Sequence, residues 1–205
     1  YVIIKLFLAI DKKEQKKRFK KLMESKSSAW RVTEADLKRN KEYDEYKKMN
    51  DEMLQRTDTD YAPWHIIEAT DREFATAKIY SAVIAAMEQK IQEVKQKKEA
   101  KAKEDVPKKQ DTTDKAAEKT NGEDAVLRTS SLNSVDLSLS YTKDEYKEKL
   151  EKLQNRIQEL HGELYQKRIP VILGFEGWDA GGKGGAIKRL TEKMDPRGYQ
   201  VNPTA

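Results

Sequence analysis

No cysteine occurs among the 205 residues, which excludes disulfides, cysteine-ligated zinc and a thiol nucleophile. That absence suits a reducing compartment, and a cytoplasmic location is expected. Histidine is scarce too. His65 and His161 stand alone, far from any metal-ligand spacing, and read as packing or surface residues. Long apolar runs are missing: Tyr1–Ile10 is about half the ~20 residues a membrane helix needs. It lacks the basic lead-in and small-residue cleavage site of a signal peptide, so it reads as a buried strand. The chain also starts in mid-strand without Met, which leads us to expect a fragment. No single sign of charge dominates, because 41 basic and 36 acidic residues interleave to a net +5. Acidic partners are favoured by this balance, while nucleic acid has no specific support and no membrane contact is expected.

What is present is uneven. Charged residues make up 38% and hydrophobic residues 37%, enough for a few amphipathic elements diluted by polar chain. After the strand, Asp11 and Glu14 form a helix-capping signal ahead of a basic helix through Met23 with Phe19 and Leu22 on one face. Thr33 can cap a long helix reaching Arg56, with Leu37, Tyr43, Tyr46, Met49 and Met53 at helical spacings. A short strand over Ala62–Glu68 follows, with Pro63 at its start, and Asp71 caps a further helix whose apolar face runs from Phe74 to Val94. Residues 96–127 lose apolar periodicity and read as a disordered charged linker. Thr142 and Glu145 then form a capping box for a helix through Gln166. Ile169–Phe175 reads as a buried strand, Lys183–Met194 as a helix, and Tyr199–Val201 as the start of another strand. Trp30, Trp64, Tyr43 and Tyr46 read as core or lid packing rather than base-stacking platforms.

The chemistry is concentrated between the strand ending at Phe175 and the next helix. Gly177 and Gly182-Lys183 satisfy GxxxxGK, and strand, loop and helix are the context a Walker A loop requires. Small residues let the backbone N–H groups of Gly177, Ala180, Gly181, Gly182 and Gly184 surround phosphate oxygens. Lys183 adds a cation and the helix adds its positive N-terminus. Gly184 replaces the usual Ser or Thr that reaches Mg²⁺, so metal positioning must come from elsewhere, with Asp179 the candidate ligand. A carboxylate in a phosphate cradle is either catalytic or turned outward as a loop cap. A plain structural glycine turn is the bland alternative for the whole loop.

Phe175-Glu-Gly-Trp-Asp-Ala-Gly-Gly-Lys-Gly-Gly-Ala-Ile-Lys-Arg-Leu-Thr191, followed by Asp195-Pro-Arg-Gly198, resembles the Walker A region of family-2 polyphosphate kinases. Residues 128–205 resemble the start of that family's domain throughout. Lys5-Leu-Phe-Leu8, Glu14-Gln-Lys-Lys-Arg-Phe19, Asp44-Glu-Tyr46, Met53 and Ala62-Pro-Trp64 resemble its C-terminal half. The order is inverted, so residues 1–95 look like the end of one copy and 128–205 like the beginning of a second, the arrangement of the tandem polyphosphate:AMP phosphotransferase type. The resemblance implies an α/β, P-loop kinase-type parallel sheet with flanking helices, present as two incomplete halves. It implies transfer of a terminal phosphoryl group from inorganic polyphosphate to a nucleotide, AMP giving ADP, with Mg²⁺ bridging the phosphates and a homo-oligomeric parent. Asp179 and Lys183 would be catalytic, and Arg18 would grip polyphosphate. The family's Asp-Arg Walker B strand is missing from both pieces, so the 205-residue chain alone is expected to be inactive. A same-fold ATP-dependent nucleotide kinase and a non-catalytic phosphate-binding or regulatory module remain open.

Overall fold

The apolar run at the start of the chain has near-zero exposure at Ile4, Leu6, Phe7, Leu8 and Ile10, which requires cover on both faces and a neighbour on each edge. A computed structural model, describing residues 1–104 and 132–203, supplies both. Strand β1 (Val2–Ala9) is the centre of a three-stranded parallel sheet. On one side lies β2 (Trp64–Glu68), paired Lys5 to Trp64 through Ala9 to Glu68. On the other lies β3 (Val171–Gly177), paired Val2 to Val171 through Leu8 to Gly177. The α/β architecture with parallel strands therefore agrees with expectation. The residues alone did not settle whether the two sequence segments join. Here they share one sheet and one core, in which Leu8 and Ile67 lie with Ile157, Leu160 and Leu190.

Among the described residues six helices flank the sheet: α1 (Lys12–Met23), α2 (Glu34–Lys41), α3 (Tyr43–Thr57), α4 (Arg72–Glu104), α5 (Lys143–Lys167) and α6 (Lys183–Thr191). Their starts follow the side-chain caps. Asp11 accepts from the Glu14 N–H at 2.6 Å, Asp71 from that of Phe74 at 2.6 Å, and Thr33 and Thr142 each build a capping box. Helix α5 packs along α4, with Arg156 meeting Glu88 at 2.7 Å and Lys95 meeting Glu163 at 3.3 Å. Among the described residues, no helix is long and apolar enough to cross a membrane.

Five local expectations change. The single helix expected from Thr33 to Arg56 breaks at Glu42, whose ψ of 23° departs from helical geometry. The break lets two adjacent faces meet the same neighbours. Asn40 on α2 donates to Lys12 O and Gln15 Oε1, while the Tyr43 hydroxyl on α3 donates to Ile10 O at 2.7 Å. Trp30, expected to pack in a core or lid, is 75% exposed. Strand β3, expected to be buried, is only half-buried because β1 is its one strand neighbour among the described residues, and Ile172 is exposed. No strand forms at Tyr199–Val201, which follows a 3₁₀ turn at Pro196–Gly198. Of the expected linker, residues 96–104 continue α4, and 105–127 lie outside the described residues.

Candidate phosphate-binding site

Strand β3 delivers the chain into the loop at Gly177, where steric constraint is greatest. Its φ is 134°, and a Cβ there would lie 2.4 Å from the carbonyl oxygen of Leu8 on the adjacent central strand. Only glycine fits both demands. At Gly181 a Cβ would lie 2.7 Å from Trp178 O, the carbonyl to which its own N–H donates at 2.9 Å. Ala180 adopts the left-handed region at φ 59°, and Gly182 at φ 106° leads into α6. Gly184 and Gly185 face open space, and a Cβ at either would meet nothing within 4 Å, so the chain itself does not require glycine there. The Lys183 ammonium folds back along the loop, donating to Gly177 O and more weakly to Trp178 O at 3.4 Å.

The other sequence segment holds this loop from outside. Arg18 on α1 is 6% exposed, and its guanidinium has all five N–H donors engaged within the chain. Nε meets Glu14 at 2.8 Å, Nη1 meets Ala180 O and Gly181 O at 3.0 Å each, and Nη2 meets Ala69 O at 2.7 Å and Thr70 O at 3.0 Å. Arg18 thus ties the loop to the turn between β2 and α4. Burial raises the Glu14 pKa, but the Arg18 and Lys17 charges outweigh it and hold the carboxyl below its ordinary range.

Asp179 is reached from α2. Arg39 Nη1 contacts its Oδ2 at 2.6 Å and Asp36 Oδ1 at 2.9 Å, and the Asp179 contact, by hydrogen bond and charge, raises the Arg39 pKa. Gln15 Nε2 donates to the Asp179 carbonyl at 3.2 Å. Beside it, Trp178 stacks on Tyr43 with ring centroids 4.1 Å apart, and burial, aided by Asp11 and Asp44, pushes the Tyr43 phenol up to about 12. The donor set limits what a metal ion would find here. Among the described residues no cluster of three or more metal-ligating side chains exists. Asp179 is partly exposed at the loop, which fits Mg²⁺ held by one carboxylate together with substrate phosphates and water. Neither histidine joins the loop: burial and Lys78 lower the His65 pKa, and His161 packs against Gly198.

A cavity of about 350 Å³ opens next to the Arg18 contact, lined by Glu14, Lys17, Arg18, Lys21, Thr70, Asp71, Arg72 and Glu73. Burial lowers the Arg72 pKa, and the positive charges of Arg18 and Arg189 lower it further against a smaller pull from Glu14. Four basic side chains and three carboxylates line this mouth, a small cationic excess in which Arg18 is already paired with Glu14.

Residues 1–100 and 140–205 match the family described as Polyphosphate kinase 2 (PPK2). The chain belongs to that family. It is 32% identical over 207 aligned residues to the polyphosphate:AMP phosphotransferase of Pseudomonas syringae pv. tomato, covering 100% of this chain and 38% of that protein. The protein of the same name from Pseudomonas aeruginosa is 28% identical, with the same coverage of 100% and 38%. That of Acinetobacter johnsonii is 39% identical over 83 residues, covering 40% of this chain and 18% of its own length. The chain thus spans well under half the length of these curated relatives. No solved structure matches it.

Within this polyphosphate kinase 2 chain, the structure brings Gly177, Asp179, Ala180, Gly181, Gly182, Lys183, Gly184 and Arg18 together at the C-terminal edge of the sheet. Sequence reasoning missed Gln15, Arg39 and Tyr43 as neighbours of the loop. For Gln15 a signal existed: it shares a helical face with Arg18, Phe19 and Leu22 amid lysines, which marks that face as inward. Arg39 carried no local signal.

Proposed function

We propose that this chain carries the phosphate-binding part of a phosphotransferase site that moves a terminal phosphoryl group from polyphosphate to a nucleotide, with AMP as acceptor. The observation that carries this reading is the loop itself, a glycine-shaped turn with Lys183 and Asp179 at the C-terminal end of a parallel strand. The names of the two Pseudomonas relatives support polyphosphate and AMP as the reacting pair. In this reading residues 1–95 end one copy of the domain and 128–205 begin another.

Phosphoryl transfer asks a protein mostly to position groups and neutralise charge. The loop N–H groups and the start of α6 would receive phosphate oxygens, with Lys183 exchanging carbonyl contacts for phosphate. Lys17, Lys21 and Arg72 at the neighbouring mouth, which also holds Asp71 and Glu73, would receive the rest of the chain of phosphates. Mg²⁺, when bound, would neutralise the phosphate oxygens, with Asp179 as its protein ligand. Arg18 would act by positioning the loop, since its donors are already engaged.

Donor choice separates this reading from an ATP-dependent nucleotide kinase. Polyphosphate, but not ATP, should convert AMP to ADP when supplied to a longer protein that contains this segment. ATP as the preferred donor would favour the alternative kinase. Unchanged transfer after Lys183→Ala in that longer protein would favour a non-catalytic module.

A further inference from the structure

We propose that Arg39 is a built-in counter-ion of Asp179 that competes with a divalent cation for its carboxylate. This rests on the reading that Asp179 receives the metal. The geometry separates two functions at this corner of the loop. The backbone of residues 178–179 is held by contacts that do not involve the Asp179 carboxylate: Gln15 donates to the Asp179 carbonyl, and Trp178 stacks on Tyr43. The carboxylate, by contrast, is met by Arg39, a residue 140 positions away in sequence.

Arg39 is itself firmly placed. Asp36 accepts its Nη1 at 2.9 Å, and the other Asp36 oxygen closes the capping box of α2 by accepting from the Thr33 N–H and hydroxyl at 2.8 Å each. One guanidinium nitrogen therefore serves two carboxylates. Both Arg39 and Asp179 are partly exposed, at 39% and 36% of their side chains, so a hydrated ion can reach the pair without unfolding anything. A dication on the Asp179 carboxylate would lie a few ångströms from the guanidinium, where like charges repel. Metal and Arg39 in its present position are thus electrostatically exclusive. Metal loading leaves Arg39 with Asp36 alone and loosens the tie between α2 and the loop.

The test is a calorimetric titration of the 205-residue chain with Mg²⁺ in the presence of tripolyphosphate. Asp179→Asn should remove the Mg²⁺ dependence of binding. Arg39→Gln should tighten Mg²⁺ binding roughly two- to fivefold, the size of a partly exposed ion pair, and Arg39→Lys should restore wild-type affinity. Circular dichroism and thermal melting would establish that each variant is folded, and the conservative Arg39→Lys provides a second reading if Arg39→Gln melts early. Mg²⁺ binding to Arg39→Gln that is unchanged or weaker than wild type overturns the proposal while leaving the metal role of Asp179 intact. Mg²⁺ dependence that survives Asp179→Asn overturns the metal role, and the proposal falls with it.

Discussion

Arg18→Ala should lower the stability of the folded chain by about 3 kcal/mol or more, the cost of breaking a buried charged network by removing one partner. The substitution leaves the carbonyls of Ala69, Thr70, Ala180 and Gly181 without their guanidinium donor and leaves Glu14 with Lys17 as its remaining cationic partner. Buried acceptors without donors are costly individually, and here two buried and two part-buried ones lose a donor together. Because two of the four belong to the phosphate loop and two to the turn after β2, the loss also unties the two sequence segments. Tripolyphosphate affinity should therefore fall along with the melting temperature. Arg18→Lys keeps the charge but cannot reproduce a planar five-donor fork, so it should recover only part of either quantity. Thermal melting beside calorimetry reads both. A chain that melts like wild type after Arg18→Ala would show that the guanidinium network does not hold the loop.

The second large effect is expected at Gly177. An alanine there would place its methyl carbon 2.4 Å from Leu8 O and 2.8 Å from Leu8 N, with φ in a region that L-residues rarely adopt. Leu8 lies in the central strand, fully buried and paired on both sides, so it cannot retreat. We expect Gly177→Ala to break the β1–β3 pairing at its end and to cost about 3 kcal/mol or more. Gly184→Ala makes an informative contrast. It sits in the first turn of α6 with open space around it, and should be neutral or stabilise the chain by about 0.5–1 kcal/mol through helix propensity. If phosphate approaches that backbone closely, Gly184→Ala weakens tripolyphosphate binding without destabilising the fold. Equal melting temperatures for Gly177→Ala and wild type would contradict the steric account.

Much of the local structure was legible because its causes are local. Asp11 with Glu14, Thr33 with Asp36, Asp71 with Phe74, and Thr142 with Glu145 set helix starts over three residues, and the structure begins each helix there. The strand–loop–helix course around Gly177 and Lys183 was legible for the same reason, since GxxxxGK between strand and helix fixes its own backbone. Features made by distant pairs were not. The Arg39–Asp179 contact, the Arg18 carbonyl network and the alignment of β1 with β3 join residues more than fifty positions apart, and no periodicity encodes them. The break at Glu42 belongs to this class as well. Helical spacing continues through it, and only the competing anchors of Asn40 and Tyr43 on α1, Ile10 and Trp178 require the bend. The burial of β3 was overestimated because a run of apolar residues signals burial by any neighbour, not the number of strands beside it.

The central claim is that the loop from Gly177 to Gly184, as folded here against α1 and α2, binds oligophosphate through Lys183. Calorimetric titration of the 205-residue chain with tripolyphosphate, with and without Lys183→Ala, tests it most directly. The account predicts saturable binding that weakens as salt rises and is lost in Lys183→Ala while the variant stays folded. Absence of binding to the wild-type chain, or binding that Lys183→Ala leaves unchanged, would contradict it.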